Sequence, residues 1–141
     1  MSIKNQKFLG ILIIVFSILI VLLSRNIYPL SGLIVPLILP FIIMYVYKVL
    51  FFGISIKGNF FNTILSLLTV IIYNTVLVIY DVYTLNNEDA NSFLEKFILY
   101  FSDNETRGIV NAIYLISLLE VLVIGIFLIA FSYLKRLRRD Y

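Results

Sequence analysis

Four apolar stretches, each long enough to cross a lipid bilayer as a helix, constrain this chain more than any other feature. A spanning helix needs about 20 mostly apolar residues, because the hydrocarbon core is about 30 Å thick and each helical residue rises about 1.5 Å. Residues 8–24, 30–52, 60–80 and 109–134 meet that requirement. The first run is the shortest and also fits the core of a signal peptide. No small-residue cleavage site follows it, since the chain continues Ser24-Arg25-Asn26-Ile27-Tyr28-Pro29, so it is read as a retained span. Hydrophobic residues make up 62% of the chain and charged residues 13%, against about 45–50% and about 25% in soluble domains. Too few polar side chains remain to cover such a surface in water, and lipid is the expected solvent. The expected fold is a single all-α membrane domain over residues 1–141: a four-transmembrane-helix up-down bundle, its short connections forcing neighbouring helices antiparallel.

Lys and Arg resist translocation and so set orientation. With the N-terminus inside, the inner side collects Lys4, Lys7, Lys48, Lys57, Lys135, Arg136, Arg138 and Arg139, whereas the outer side receives only Arg25, Lys96 and Arg107. Both termini are therefore expected in the cytoplasm, with residues 135–141 as a basic tail. Tyrosines favour the headgroup level. Tyr28, Tyr80, Tyr83 and Tyr114 are read as the outer boundary and Tyr45, Tyr47 and Tyr133 as the inner one, with Tyr73 an exception inside a span.

The connection 81–108 is long enough to hold structure. Phe93, Leu94, Phe97, Ile98, Tyr100 and Phe101 recur at helical spacing, with Glu95 and Lys96 expected to face away. Ser92 followed by Glu95 fits a capping box. A short extracellular amphipathic helix over about 92–102 is expected. It either lies on the leaflet, lids the bundle, or offers Phe93, Phe97 and Phe101 as a docking face. A glycosylation sequon, Asn104-Glu105-Thr106, follows.

Polar groups inside the membrane need a reason to be there. Glu120 lies near the midpoint of the fourth span, about 17 Å in from Ile109. An ionised carboxylate at that depth costs at least about 2.5 kcal/mol, so it is either protonated or faces protein, water or a cation. Depth and periodicity place Glu120 and Ser117 against a third-span face bearing Thr69 and Tyr73, with Asn74 at its edge. Asn62, Ser66 and Tyr80 share that face. Three roles compete for Glu120: structural glue, contact with another protein's span, and a proton or cation carrier.

In the second span Gly32, Pro36 and Pro40 recur every four residues and line one face. Each proline removes a backbone donor, so a kink or partial unwinding is expected, with freed carbonyls near Gly32 and Pro36 that serve either a cation or mere packing. Gly10, Ser17 and Ser24 recur every seven residues and read as a close helix contact.

The chain has no Cys and no His, which removes thiolate and imidazole metal sites, disulfides and imidazole acid–base chemistry. No phosphate loop, nucleophile elbow or metal-spaced carboxylate cluster is present, and no internal repeat. Four-span size and a basic tail resemble, generically, holins, small multidrug exporters and bacteriocin-immunity or regulatory membrane proteins. The exporters' glutamate, however, lies in their first span, and Glu120 lies in the last. The expected function is a non-enzymatic accessory, regulatory or immunity-type interaction subunit in the cell membrane. Its partners would be lipid and another membrane protein or a second copy, with no cofactor, metal or nucleic acid. The alternative is a small proton- or cation-coupled transporter or oligomeric pore using Glu120 and the proline-broken second span.

Overall fold

Apolar runs of this length satisfy every backbone polar group within one segment only as helices, and nearly every described residue is helical. The computed structural model describes residues 3–27, 29–52, 55–84, 91–102 and 105–140, excluding the side chains of 3, 29–31, 33, 52, 101, 102, 105–107, 109 and 110. Helix α1 is Ile3–Ile27 and α2 is Pro29–Tyr47, prolonged by a π-helical segment, Lys48–Phe52. Helices α3 (Ile56–Tyr83), α4 (Phe93–Ser102) and α5 (Glu105–Asp140) follow. Four helices, namely α1, α2 with its π segment, α3 and α5, are long and apolar enough to cross a membrane. Among the described residues there is no strand.

The helices outrun the apolar stretches that seed them. Ser55 starts α3 early: its hydroxyl accepts the Gly58 N–H at 2.9 Å and its carbonyl accepts the Asn59 N–H at 2.9 Å, filling donors that a helix start leaves open. At the other end the Thr84 N–H closes on the Tyr80 carbonyl at 2.9 Å. Helix α5 runs 36 residues, about 54 Å at 1.5 Å per residue, so residues 135–140 continue the helix. Ser92 caps α4, accepting the Glu95 N–H at 3.2 Å. The Glu95 carboxylate reaches back to the Asn91 N–H at 2.9 Å, one residue before the usual capping-box partner.

Burial runs opposite to that of a water-soluble protein. The buried face of α3 carries Asn59, Asn62, Thr63, Ser66, Thr69, Tyr73 and Asn74 beside only a few aliphatic residues. Large apolar side chains point outward instead, including Phe8, Phe16 and Leu23 on α1 and Val123, Ile126 and Phe127 on α5. Hydrocarbon outside the bundle solvates these side chains as well as a protein core would. The polar groups, which lipid cannot satisfy, turn inward to each other.

Small residues set the close approaches. A Cβ added at Gly125 on α5 would overlap the Thr63 side chain, lying 2.9 Å from its Cβ. One at Gly32 would come within 3.1 Å of the Arg25 Cα on α1. The small-residue seam of α1 is tight at its far end only: Ser17 and Ser24 are buried, their hydroxyls returned to the Ile13 and Val21 carbonyls at 2.7 and 2.8 Å. At Gly10 a Cβ would meet nothing within 4 Å, and the residue borders an open groove with Phe51 and Leu65.

Cross-helix contacts give the helix directions. Asn59 meets Ser132, Thr63 meets Gly125, and Thr75 meets Tyr114, so α3 and α5 run oppositely. The C-terminal ends of α1 and α3 lie together. The Arg25 Nη2 atom is 3.1 Å from the Asp81 carboxylate, and the Tyr80 hydroxyl donates to Asn26 Oδ1 at 2.7 Å.

Two sequence expectations need correction. Of the kink or partial unwinding expected at the prolines, the unwinding does not occur: helix α2 stays α-helical through Pro36 and Pro40, and the change of helix type comes later, at Lys48. Tyr47, counted among the boundary tyrosines, is fully buried, its hydroxyl 2.8 Å from Thr69 Oγ1.

The Gly125–Thr63 contact predicts that Gly125→Ala destabilises the bundle by about 1–3 kcal/mol, the usual cost of overpacking. Adding Thr63→Ala should recover part of the loss. Equilibrium unfolding of the micelle-bound chain measures both; an unchanged Gly125→Ala midpoint would remove the contact from the account.

Candidate functional site

The chemistry of the bundle interior begins with an absent proton. In an α-helix each N–H closes on the carbonyl four residues back. Pro40 has no N–H, so the Pro36 carbonyl is left without its intrahelical donor. Two other helices supply the missing bonds. The Tyr73 hydroxyl on α3 donates to the Pro36 carbonyl at 2.8 Å. Ser117 Oγ on α5 lies 3.1 Å from the same oxygen and 2.7 Å from its own Ile113 carbonyl, with a single proton to place between them. Tyr73 and Ser117 are both fully buried. Of the two freed carbonyls that sequence reasoning offered to a cation, near Gly32 and Pro36, that of Pro36 is thus a three-helix joint.

The other polar side chains of α3 extend this stitching along α2. Asn62 Nδ2 donates to the Met44 carbonyl at 3.1 Å, in the last α-helical turn before the π segment, and Ser66 donates to Asn62 Oδ1 at 3.0 Å. Thr69 pairs with Tyr47 and returns to the Leu65 carbonyl at 2.8 Å. Asn74 Nδ2 donates to the Val70 carbonyl of its own helix at 3.1 Å. Toward α5, besides Tyr73 beside Ser117, Asn59 Nδ2 donates to Ser132 Oγ and the Thr75 and Tyr114 hydroxyls meet at 2.9 Å. Gly32, Pro36 and Pro40 are all buried, and Gly32 seats Arg25.

Glu120 stands at the edge of this network. It is half-buried, close enough to Tyr73 to interact with it electrostatically. Its Oε2 atom is shielded and has no hydrogen-bond partner among the described residues. At 3.6 residues per turn, Tyr114, Val121, Gly125 and Ser132 fall about 40–80° to one side of Ser117, the side that meets α3. Glu120 falls about 60° to the other. That flank grades into exposed Ile116 and Phe127. A carboxyl oxygen so placed needs a partner in either protonation state, as acceptor or as donor.

Of the outer docking residues, Phe93 and Phe97 are exposed, their ring centroids 6.4 Å apart, and Leu94 and Ile98 are exposed beside them. The Phe101 side chain, residues 85–90 and Asn104 lie outside the described residues. Lys96 turns to the bundle: its ammonium approaches the Tyr83 carbonyl at 3.4 Å and lies 6.0 Å from that ring's centroid. Tyr100, buried, lies beside Asp81. Helix α4 therefore turns Lys96 and Tyr100 to α3 and its apolar side outward.

Sequence reasoning missed Asn59 and Gly125. Both had a signal: Asn59 extends the 62–66–69–73 spacing by one step, and Gly125 lies between Ser117 and Ser132 at intervals of eight and seven. Among the described residues no group of three or more acidic, His or Cys side chains could hold a metal. The chain matches no protein-family model, no curated protein and no solved structure.

The three-helix joint predicts non-additive energetics. Tyr73→Phe should cost about 0.6–1.7 kcal/mol, the range for hydrogen bonds inside membrane proteins. In a Pro40→Ala background, where position 40 regains the N–H that closes on Pro36, the same change should cost measurably less. A double-mutant cycle read by unfolding tests this, and equal costs in both backgrounds would refute the capture of the freed carbonyl.

Proposed function

We propose that this chain is a multi-pass protein of the cell membrane that works as a non-enzymatic accessory, regulatory or immunity-type interaction subunit. In this reading the four long helices form an up-down bundle with both termini cytoplasmic and α4 outside. The observation that carries it is Glu120. The Glu120 side chain is half-buried on the flank of α5 that grades into exposed apolar residues, and its shielded, unbonded oxygen meets a donor from a neighbouring membrane helix once the side chain rotates outward. That helix belongs to another protein or to a second copy of this chain. The outward Phe93 and Phe97 give such a partner a further surface above the membrane.

The transporter or pore reading draws on the same carboxyl, but part of its second element is already in use. The Pro36 carbonyl, which a broken helix would present to an ion, already accepts from the Tyr73 hydroxyl and shares the Ser117 hydroxyl with the Ile113 carbonyl.

A photo-crosslinker at Ile116 or Phe127 should capture a partner span in native membranes, and Glu120→Leu should abolish the adduct while Glu120→Gln keeps a substantial part of it. No adduct from either position in wild-type membranes would overturn the interaction reading. Proton-coupled cation flux in proteoliposomes, lost in Glu120→Gln, would put the transporter in its place.

A further inference from the structure

At the end of the bundle where α3 begins and α5 ends, the two helices enclose an open cavity of about 780 Å³. Its charge is one-sided. Lys57 of α3 and Lys135, Arg136 and Arg139 of α5 line it, and no acidic residue does. All four are exposed, and none is in an ion pair among the described residues. The first turn of α3 opens at the same place. Ser55 satisfies the Gly58 and Asn59 amides, leaving those of Ile56 and Lys57 at the positive end of the helix dipole.

Cations in the last turn of α5 are favoured by its dipole, which accounts for basic residues there but not for their direction. Lys135, Arg136 and Arg139 continue the stripe of α5 that packs on α3 through Gly125 and Ser132, so the packing face turns into a cationic face once the bundle ends. Arg138 does not line the cavity; it lines a neighbouring surface with Phe131 and Leu134, and Lys135 stands between the two, bordering both. Lys135, Arg136 and Arg139 thus border one cavity with a helix N-terminus and with Lys57, whose ammonium lies 5.9 Å from the Phe61 ring centroid, an arrangement that favours an anion.

We propose that this cavity binds the phosphate of an anionic membrane lipid. A phosphate offers several acceptor oxygens to Arg and Lys and suits a helix N-terminus. The remaining wall is apolar: Ile56, Phe60 and Ile129 line it, and half-exposed Phe60 joins it to the lipid-facing surface of α3. A headgroup held by the cations lays its acyl chains along that wall, which free phosphate would not use. Basic cavities between membrane helices are suited to such headgroups. The site needs only the four membrane-crossing helices and is independent of the interaction role assigned to Glu120.

The test uses the full chain in nanodiscs of phosphatidylcholine doped with phosphatidylglycerol, with lipids retained after transfer to detergent counted by native mass spectrometry. Wild type should retain phosphatidylglycerol in preference to phosphatidylcholine. Lys57→Gln and Arg136→Gln should each weaken that preference about fivefold. Arg138→Gln, which removes the same charge from the other surface, should leave it nearly unchanged. Equal losses in all three variants would reduce the site to a diffuse basic surface and overturn the proposal. So would displacement of the lipid by millimolar inorganic phosphate, which would make free phosphate the ligand.

Discussion

One oxygen atom organises this bundle. Inside a membrane a backbone carbonyl has no water to fall back on, and each unsatisfied group costs several kcal/mol. Pro40 creates such a carbonyl at Pro36, and Tyr73 and Ser117 bring α3 and α5 to it. The consequence is register. Association of spans in lipid lacks the hydrophobic drive that assembles soluble cores, so apolar surfaces alone leave helices free to slide. A single acceptor with two donors on two helices fixes depth and rotation together. Asn62 on the Met44 carbonyl repeats the device two turns away, so α2 is held at two levels by side chains of α3.

Much of this was legible in the sequence, for physical reasons. Span length and composition are dictated by bilayer thickness, and they returned the four long helices. The 62–66–69–73 periodicity returned the buried face of α3, because polar residues in a membrane helix must turn inward and so mark the interior directly. The Ser92–Glu95 spacing returned the start of α4, a local event decided by local chemistry.

What could not be read was rotation about the helix axis and the choice of partner. Thr69 lies at the depth estimated for Glu120 but bonds Tyr47 on α2. Equal depth permits a contact without choosing between two neighbouring helices. Tyr47 was misplaced because position along a span is not position across it: a tyrosine near a span's end reaches the headgroups only if its side chain faces out. Sequence spacing set Lys96 off the apolar residues of α4 but could not name what it meets, a carbonyl and a ring of Tyr83 on α3. The π segment at Lys48–Phe52 has no proline or glycine to announce it, and we have no sequence-level account of it.

The ion pair between Arg25 and Asp81 bears on the order in which the molecule can be completed. A chain is made from its N-terminus, and segments begin to fold as they emerge. Helix α1 ends in a cation, and α2 folds back directly against it, with Gly32 on the Arg25 backbone. The answering carboxylate is not part of this hairpin, because it stands at the far end of α3. The first hairpin is therefore an unfinished object, with an unanswered charge at its end until the third helix joins it.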